Sequence, residues 1–297
     1  LVHDDAVDHS VLRRGMPTIN ALFSHQHAVL MGDFLYARAL TELVRLNDWD
    51  VAAIFADAST QITLGEMRQL GALDALAFGE ADYDQLIRAK TASLFRAATE
   101  LGALCGAARH RAALARYGER LGMAFQVVDD LLDYTEDAEV TGKPSGLDLR
   151  EHKVTLPLIA AFPEFDATAR RRVEALFATA DPEDGQVAEV VELVARHGGL
   201  DYARRRGEVL AREAEEALAG LPDTAARASL GDAVGYVLDR RAWRSGPTSC
   251  CRCCAFCACH APLSAAMRRS TRSTYTPSRV VTGSAMAPCD TPNAAPT

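Results

Sequence analysis

Lysine is nearly missing from this sequence. Of 32 basic side chains in 297 residues, only Lys90, Lys143 and Lys153 are lysines. Arginine serves wherever a generic positive charge suffices, so a compact, strongly hydrated ammonium kept in that background points to a small anion such as a phosphate. Chance is the alternative reading for three residues. Long apolar runs are also absent, and with 24% charged residues the sequence holds no candidate membrane span. Alternating, strand-like stretches are missing too, which argues against a sheet-based core. Cysteine is confined: Cys105 stands alone in the first 244 residues, and the other seven lie between Cys250 and Cys289. One thiol cannot build a disulfide framework, which suits a reducing, cytoplasmic setting.

Charge divides the chain at the same place. Residues 1–244 hold 27 basic and 39 acidic side chains, a balance of −12, whereas residues 245–297 hold five arginines and Asp290, a balance of +4. An acidic body argues against nucleic acid as the main partner. It does not argue against a phosphorylated one, because a metal ion can bridge carboxylates to phosphates.

Residues 1–242 read as helix after helix. Ala, Leu, Arg and Glu dominate, and apolar residues recur three and four apart, as in Leu94, Ala97, Ala98 and Leu101. Breaks at Gly79, Gly142-Lys143-Pro144, Pro163, Asp181-Pro182, Gly198-Gly199 and Leu221-Pro222 predict about eight helices in one all-α bundle. Residues 243–297 are rich in Cys, Ser, Thr, Pro and Ala, and 245–297 contain one Leu and no Ile. Such a segment cannot bury enough apolar area to order itself and is expected to be disordered, with a reading frame foreign to the body as one explanation. Its Cys250–Cys259 run has CxxC spacing, but the crowded thiols lack a second spaced pair, so no zinc site is expected.

Two motifs carry chemistry. Asp4-Asp5-Ala6-Val7-Asp8 would place Asp4 and Asp8 on one helix face with Asp5 beside them. Asp129-Asp130-Leu131-Leu132-Asp133 repeats the pattern 125 positions later, inside a run with Met123, Phe125, Val127 and Val128. One DDxxD alone reads as solvated surface charge; two, the second in a buried-looking helix, suit several Mg²⁺ ions around a diphosphate. Lys90 precedes Thr91, whose hydroxyl could also meet a phosphate. Arg13-Arg14-Gly15, just past Asp8, suits anionic oxygens, or alternatively marks an ordinary helix C-terminus.

Taken together these segments resemble the trans-isoprenyl diphosphate synthases, or polyprenyl synthetases. Leu1-Val2-His3-Asp4-Asp5-Ala6-Val7-Asp8 with Arg13-Arg14-Gly15-Met16-Pro17-Thr18 is similar to their first aspartate-rich motif. Gly122-Met123-Ala124-Phe125-Gln126-Val127-Val128-Asp129-Asp130 with Asp133-Tyr134 is similar to the second. Gly32-Asp33-Phe34-Leu35, Gly65-Glu66, Lys90-Thr91, Gly142-Lys143-Pro144 and Lys153-Val154-Thr155-Leu156-Pro157 match in order between and after them. The likeness spans about residues 1–242 and is closest to medium- and long-chain members.

The resemblance implies an all-α, isoprenoid-synthase-like bundle around a central cavity, in a homodimer. It implies a prenyltransferase that joins isopentenyl diphosphate to an allylic prenyl diphosphate, touching a membrane at most peripherally through its product. Asp4, Asp5 and Asp8 on one wall and Asp129, Asp130 and Asp133 on the other would bind Mg²⁺. Arg13, Lys90, Thr91, Gln126, Lys143 and Lys153 would hold the allylic diphosphate, and Arg14 isopentenyl diphosphate. Asp4, Asp5, Asp8, Asp129, Asp130 and Lys90 would serve catalysis directly. Phe34, Leu35 and Phe125 would line an apolar tunnel or, taken singly, belong to the core. The family places several helices and part of the isopentenyl diphosphate site before the first motif, so the chain is expected to start inside the domain. A degenerate remnant or a non-catalytic subunit is the competing reading. A terpene cyclase is disfavoured, because its second metal motif is rich in Asn, Ser and Glu.

Overall fold

The computed structural model describes residues 1–13, 15–70, 75–135 and 146–239. Arg14, Lys143 with its neighbours Gly142 and Pro144, and residues 243–297 with their cysteines lie outside the described residues.

The helices are α1 (Val2–Val7), α2 (Ile19–Leu22), α3 (His25–Arg45), α4 (Trp49–Leu70), α5 (Glu80–Ile87), α6 (Ser93–Gly106), α7 (Arg111–Thr135), α8 (Leu147–Arg150), α9 (Leu156–Ala161), α10 (Ala167–Ala178), α11 (Asp184–Arg196), α12 (Gly199–Leu218) and α13 (Ala225–Leu238). Eight of them run twelve residues or more. A wider, π-helical turn at Arg88–Ala92 joins α5 to α6. The punctuation follows the sequence. Gly198 adopts φ +75° ahead of α12, Pro163 sits in a tight turn after α9, and Pro182 separates α10 from α11. Ser24, Asp166 and Thr224 cap α3, α10 and α13 by accepting backbone N–H groups, each contributing about 1 kcal/mol.

The only strands among the described residues are β1 (Leu12–Arg13) and β2 (Met16–Pro17), an antiparallel ribbon pairing Leu12 with Pro17 and Arg13 with Met16. Gly15 takes φ +77° at its turn, a left-handed conformation that glycine adopts without a Cβ clash. This corrects the reading of Arg13-Arg14-Gly15 as a helix C-terminus: α1 has already ended at Val7.

The core forms around α7, which packs on α6 and α12. Met123, Ala124 and Val127 of α7 are fully buried against Ala203, Leu210 and Ala214 of α12 and Val234 of α13. The small residues let the axes approach, and a fully buried leucine such as Leu210 contributes about 2 kcal/mol. A second cluster joins Tyr134, Leu149 and Leu158 to Val173, Leu176, Val187, Val190 and Val194 of α10 and α11.

α3 differs from expectation. It buries only Ala28 and Gly32, and leaves Leu30, Phe34, Leu35 and Val44 at 66, 59, 50 and 66% exposure. Phe34 and Leu35 are therefore neither core nor cavity lining, because their face of α3 turns away from the packed helices. Phe125 is half-buried, with its ring 5.4 Å from that of Phe95. Among the described residues, no helix is long and apolar enough to cross a membrane.

Candidate active site

A cavity of about 450 Å³ opens between the end of α1, α4, α5, the π-helical turn, α7 and residues 148–155. Its ionisable lining is Asp8, Glu66, Tyr83, Lys90, Asp129, Asp130, Asp148, Glu151, His152 and Lys153, with Gln69, Thr91 and Gln126 among the neutral polar groups.

From the first motif, Asp8 reaches this cavity and Asp4 and Asp5 do not line it. Asp8 caps the C-terminus of α1, its amide bonded to Asp4 O at 2.8 Å. Asp5 is buried and pairs with the Arg13 guanidinium, whose Nε and Nη2 both lie 2.7 Å from Oδ1. The structure thus ties Arg13 to the motif's own acid and folds the β ribbon back onto α1. Asp4 lies near the Leu1 amino group at 3.5 Å.

From the second motif, Asp129 and Asp130 line the cavity, the former half-buried and the latter buried. Asp130 Oδ2 accepts from the Tyr83 hydroxyl at 2.6 Å, and Oδ1 accepts from Gln126 Nε2 at 2.8 Å. Gln126 Oε1 in turn accepts from Thr91 Oγ1 at 2.7 Å. Asp133 turns to another task. Its carboxylate accepts the backbone N–H groups of Leu147 and Asp148 at 3.2 and 3.1 Å, which caps α8 and sets Asp148 at the cavity wall.

Lys90 projects from the π-helical turn onto α4, bonding Glu66 at 2.9 and 3.1 Å and Gln69 at 2.9 Å. Lys153 pairs with Glu151 at 2.6 Å. Burial works against the Lys153 ammonium, but Glu151, Asp148 and Asp8 together hold its pKa above the ordinary lysine value. Burial, with the Asp133 charge, pushes the Asp148 carboxyl up to about 7, against the opposing pull of Lys153. His152, between them, adopts φ +56° and is held by a ring bond to Thr179 O at 2.9 Å.

The sequence reading gave no role to Glu66, Gln69, Tyr83, Asp148 or Glu151. Glu66 carries one signal, its place in the Gly65-Glu66 landmark; Asp148 and Glu151 lie just before the Lys153-Val154-Thr155-Leu156-Pro157 segment. Tyr83 and Gln69 had none, because only the fold brings them to Asp130 and Lys90.

A family model described as Polyprenyl synthetase matches residues 1–194. The chain belongs to the polyprenyl synthetase family. It is 42% identical over 241 residues to an all-trans-nonaprenyl-diphosphate synthase (geranyl-diphosphate specific) from Rhodobacter capsulatus, spanning 81% of this chain and 74% of that protein. An octaprenyl diphosphate synthase from Haemophilus influenzae is 37% identical over 245 residues, spanning 81% and 73%. Among solved structures, a decaprenyl diphosphate synthase from Rhodobacter capsulatus superposes with a TM-score of 0.76 at 40% identity, covering 81% of this chain and 75% of that one. A polyprenyl synthase from Caulobacter crescentus, complexed with calcium and isoprenyl diphosphate, gives 0.75 at 37% identity, covering 81% and 74%. The polyprenyl synthetase chain is thus a prenyltransferase of the all-α isoprenoid synthase fold, and nothing in the comparisons favours an inactive relative.

Proposed function

We propose that the chain condenses isopentenyl diphosphate with an allylic diphosphate, releases diphosphate and builds a medium- or long-chain trans-polyprenyl diphosphate, using Mg²⁺. The observation that carries this reading is the charge of the cavity. Six carboxyl groups (Asp8, Glu66, Asp129, Asp130, Asp148 and Glu151) face two ammonium groups, and Lys90 and Lys153 are each already paired with an acid. Such a site repels a bare diphosphate and suits one that arrives with divalent cations. Among the described residues, no three His, Cys, Asp or Glu side chains converge closely enough to hold an ion alone. Ions held by Asp8 from one wall and Asp129 from the other would complete their shells with substrate oxygens and water.

Bound Mg²⁺ would supply neutralisation of the charge that develops on the leaving diphosphate. Lys90 and Lys153 orient the diphosphate and stabilise the same charge. The allylic C–O bond breaks, and positive charge spreads over three carbons. The double bond of isopentenyl diphosphate, held alongside, attacks the cation. A proton then leaves to the departed diphosphate, and a chain five carbons longer remains. Water must be kept out, since it would quench the cation. Arg14 and Lys143 are assigned to isopentenyl and allylic diphosphate by family resemblance. Asp4, Asp5, Asp130 and Asp133 act by supporting Asp8, Gln126 and α8 in place.

We assign the activity to residues 1–242, none to 243–297, and place the enzyme in the cytoplasm. We also propose a homodimer, supported by the exposed Leu30, Phe34, Leu35 and Val44 on α3, which cells seldom leave bare. Incubation with Mg²⁺, radiolabelled isopentenyl diphosphate and an allylic primer should yield longer, acid-labile products. Asp8→Ala and Asp129→Ala should each lower kcat/KM by at least about 100-fold. Absence of product with every primer from geranyl to geranylgeranyl diphosphate would sink the assignment.

A further inference from the structure

Lys90 is held at the cavity wall by Glu66 and Gln69 of α4. An ammonium has three N–H donors; Lys90 Nζ donates to Glu66 Oε2 at 3.1 Å and to Gln69 Oε1 at 2.9 Å, and Glu66 Oε1 lies 2.9 Å away as the ion-pair contact. Glu66 and Gln69 stand three residues apart and therefore on one face of α4. The distance between α4 and the π-helical turn is fixed beside them by Gly65. A Cβ there would lie 3.0 Å from the Lys90 backbone nitrogen and 3.2 Å from Ala89 Cβ. The two backbones thus touch, and both α4 side chains are kept within reach of the ammonium. Lys90 and Glu66 are 34 and 26% exposed, so the pair is partly desolvated and more strongly coupled than a surface pair.

We propose that Glu66 and Gln69 are positioning residues for Lys90, holding its ammonium at the cavity wall and leaving its remaining N–H group for the diphosphate when substrate enters. The proposal rests on the prenyltransferase reading above. It has a consequence that simple packing does not. The Glu66 carboxylate competes with diphosphate for the same ammonium charge and adds negative charge where an anion must bind, so it weakens ground-state binding. Once the diphosphate is bound, Glu66 and Gln69 keep the other N–H groups occupied and the ammonium aimed, so they support turnover. Binding and turnover should therefore move in opposite directions when Glu66 loses its charge.

The test uses the full chain with Glu66→Gln, alone and combined with Lys90→Ala. Calorimetric titration with inorganic diphosphate and Mg²⁺ should give a Kd lower by several-fold in Glu66→Gln, while kcat falls by about tenfold, the size of one lost charge-assisted contact. Glu66→Asp, which keeps the carboxylate, should return Kd towards the wild-type value. In the Lys90→Ala background, Glu66→Gln should change kcat no further. A weaker diphosphate Kd in Glu66→Gln, or an effect on kcat that is fully additive with Lys90→Ala, would overturn the proposal. A wild-type chain that forms no polyprenyl product, yet shows the Kd shift, would fail the prenyltransferase reading and leave the positioning role standing.

Discussion

The hydroxyl of Tyr83 donates to Asp130 Oδ2 at 2.6 Å while Gln126 Nε2 donates to Oδ1 at 2.8 Å, so both oxygens of this 5% exposed carboxylate are engaged. Burial drives the Asp130 pKa up, with the Asp148 charge adding to it, and the bonds from Tyr83 and Gln126 oppose that rise. The second Asp of the second motif is thereby a hub joining α5 to α7 and, through Gln126 and Thr91, to the π-helical turn. Thr91 already donates its proton to Gln126, so it must exchange that bond before donating to a phosphate oxygen. Tyr83→Phe leaves a buried acceptor short of a partner, and chemical denaturation should show a loss of about 1–3 kcal/mol. kcat/KM should fall with it, because Thr91 and Gln126 line the cavity. An unchanged unfolding midpoint would remove Asp130 from this role.

Apolar spacing and Gly/Pro punctuation were enough to read the helices, because α7 and α12 bury residues three and four apart, as at Leu210, Ala214 and Leu218. The two motifs also lead to a single cavity, which Asp8 and Asp129 both line. Which member of each motif faces it was not legible. Asp5 and Arg13 are eight residues apart and meet only because the β ribbon folds back; Asp133 finds α8 fourteen residues on. Such pairings are set by tertiary contacts, which residue spacing does not encode. The apolar character of α3 suggested burial, yet amphipathicity says that a face can be covered, not what covers it.

The Asp148 carboxyl, pushed up to about 7 by burial and the Asp133 charge, makes stability depend on pH. Its folded pKa lies above the unfolded value of about 3.9. The folded state therefore binds the proton more tightly, and the stability this group contributes is full below about pH 4 and lost as pH rises to about 7. Asp148→Asn removes that dependence. Without metal, the variant should melt higher than wild type at pH 8, by up to about 4 kcal/mol in stability, and gain much less at pH 5. Equal gains at both pH values would show that Asp148 is not the titrating group. Activity should drop at either pH, since Asp148 lines the cavity.

Removal of the metal should separate two kinds of binding. With six carboxyl groups in the cavity, inorganic diphosphate alone should stabilise the fold little. Diphosphate with Mg²⁺, at about 100 times the Kd, should add about 2.7 kcal/mol, or roughly 5–10 °C in Tm for a chain of this size. Chelation should reverse the shift, and Asp129→Ala should abolish it. A full shift from diphosphate without any divalent cation would mean that Lys90 and Lys153 suffice and that the cavity carboxyl groups do not exclude a bare diphosphate.

Gly32 offers the most specific check on how the first motif is held. The His3 ring lies flat against α3 at this position, with Nε2 3.1 Å from Val29 O and 3.1 Å from Asp33 Oδ1. A Cβ on residue 32 would sit 2.4 Å from Nε2, so no side chain fits without moving the ring. His3 precedes Asp4 in α1, and displacing it rolls the helix whose end presents Asp8. Gly32→Ala gains about 1 kcal/mol of helix propensity, which offsets part of the strain and keeps the net stability change small. The Mg²⁺ concentration for half-maximal activity should nevertheless rise by about tenfold, as when a supporting residue of a metal site is lost. His3→Ala removes the ring that clashes, so His3→Ala with Gly32→Ala should behave like His3→Ala alone. If the double variant were additively worse, the contact between His3 and Gly32 would not be what orients the motif.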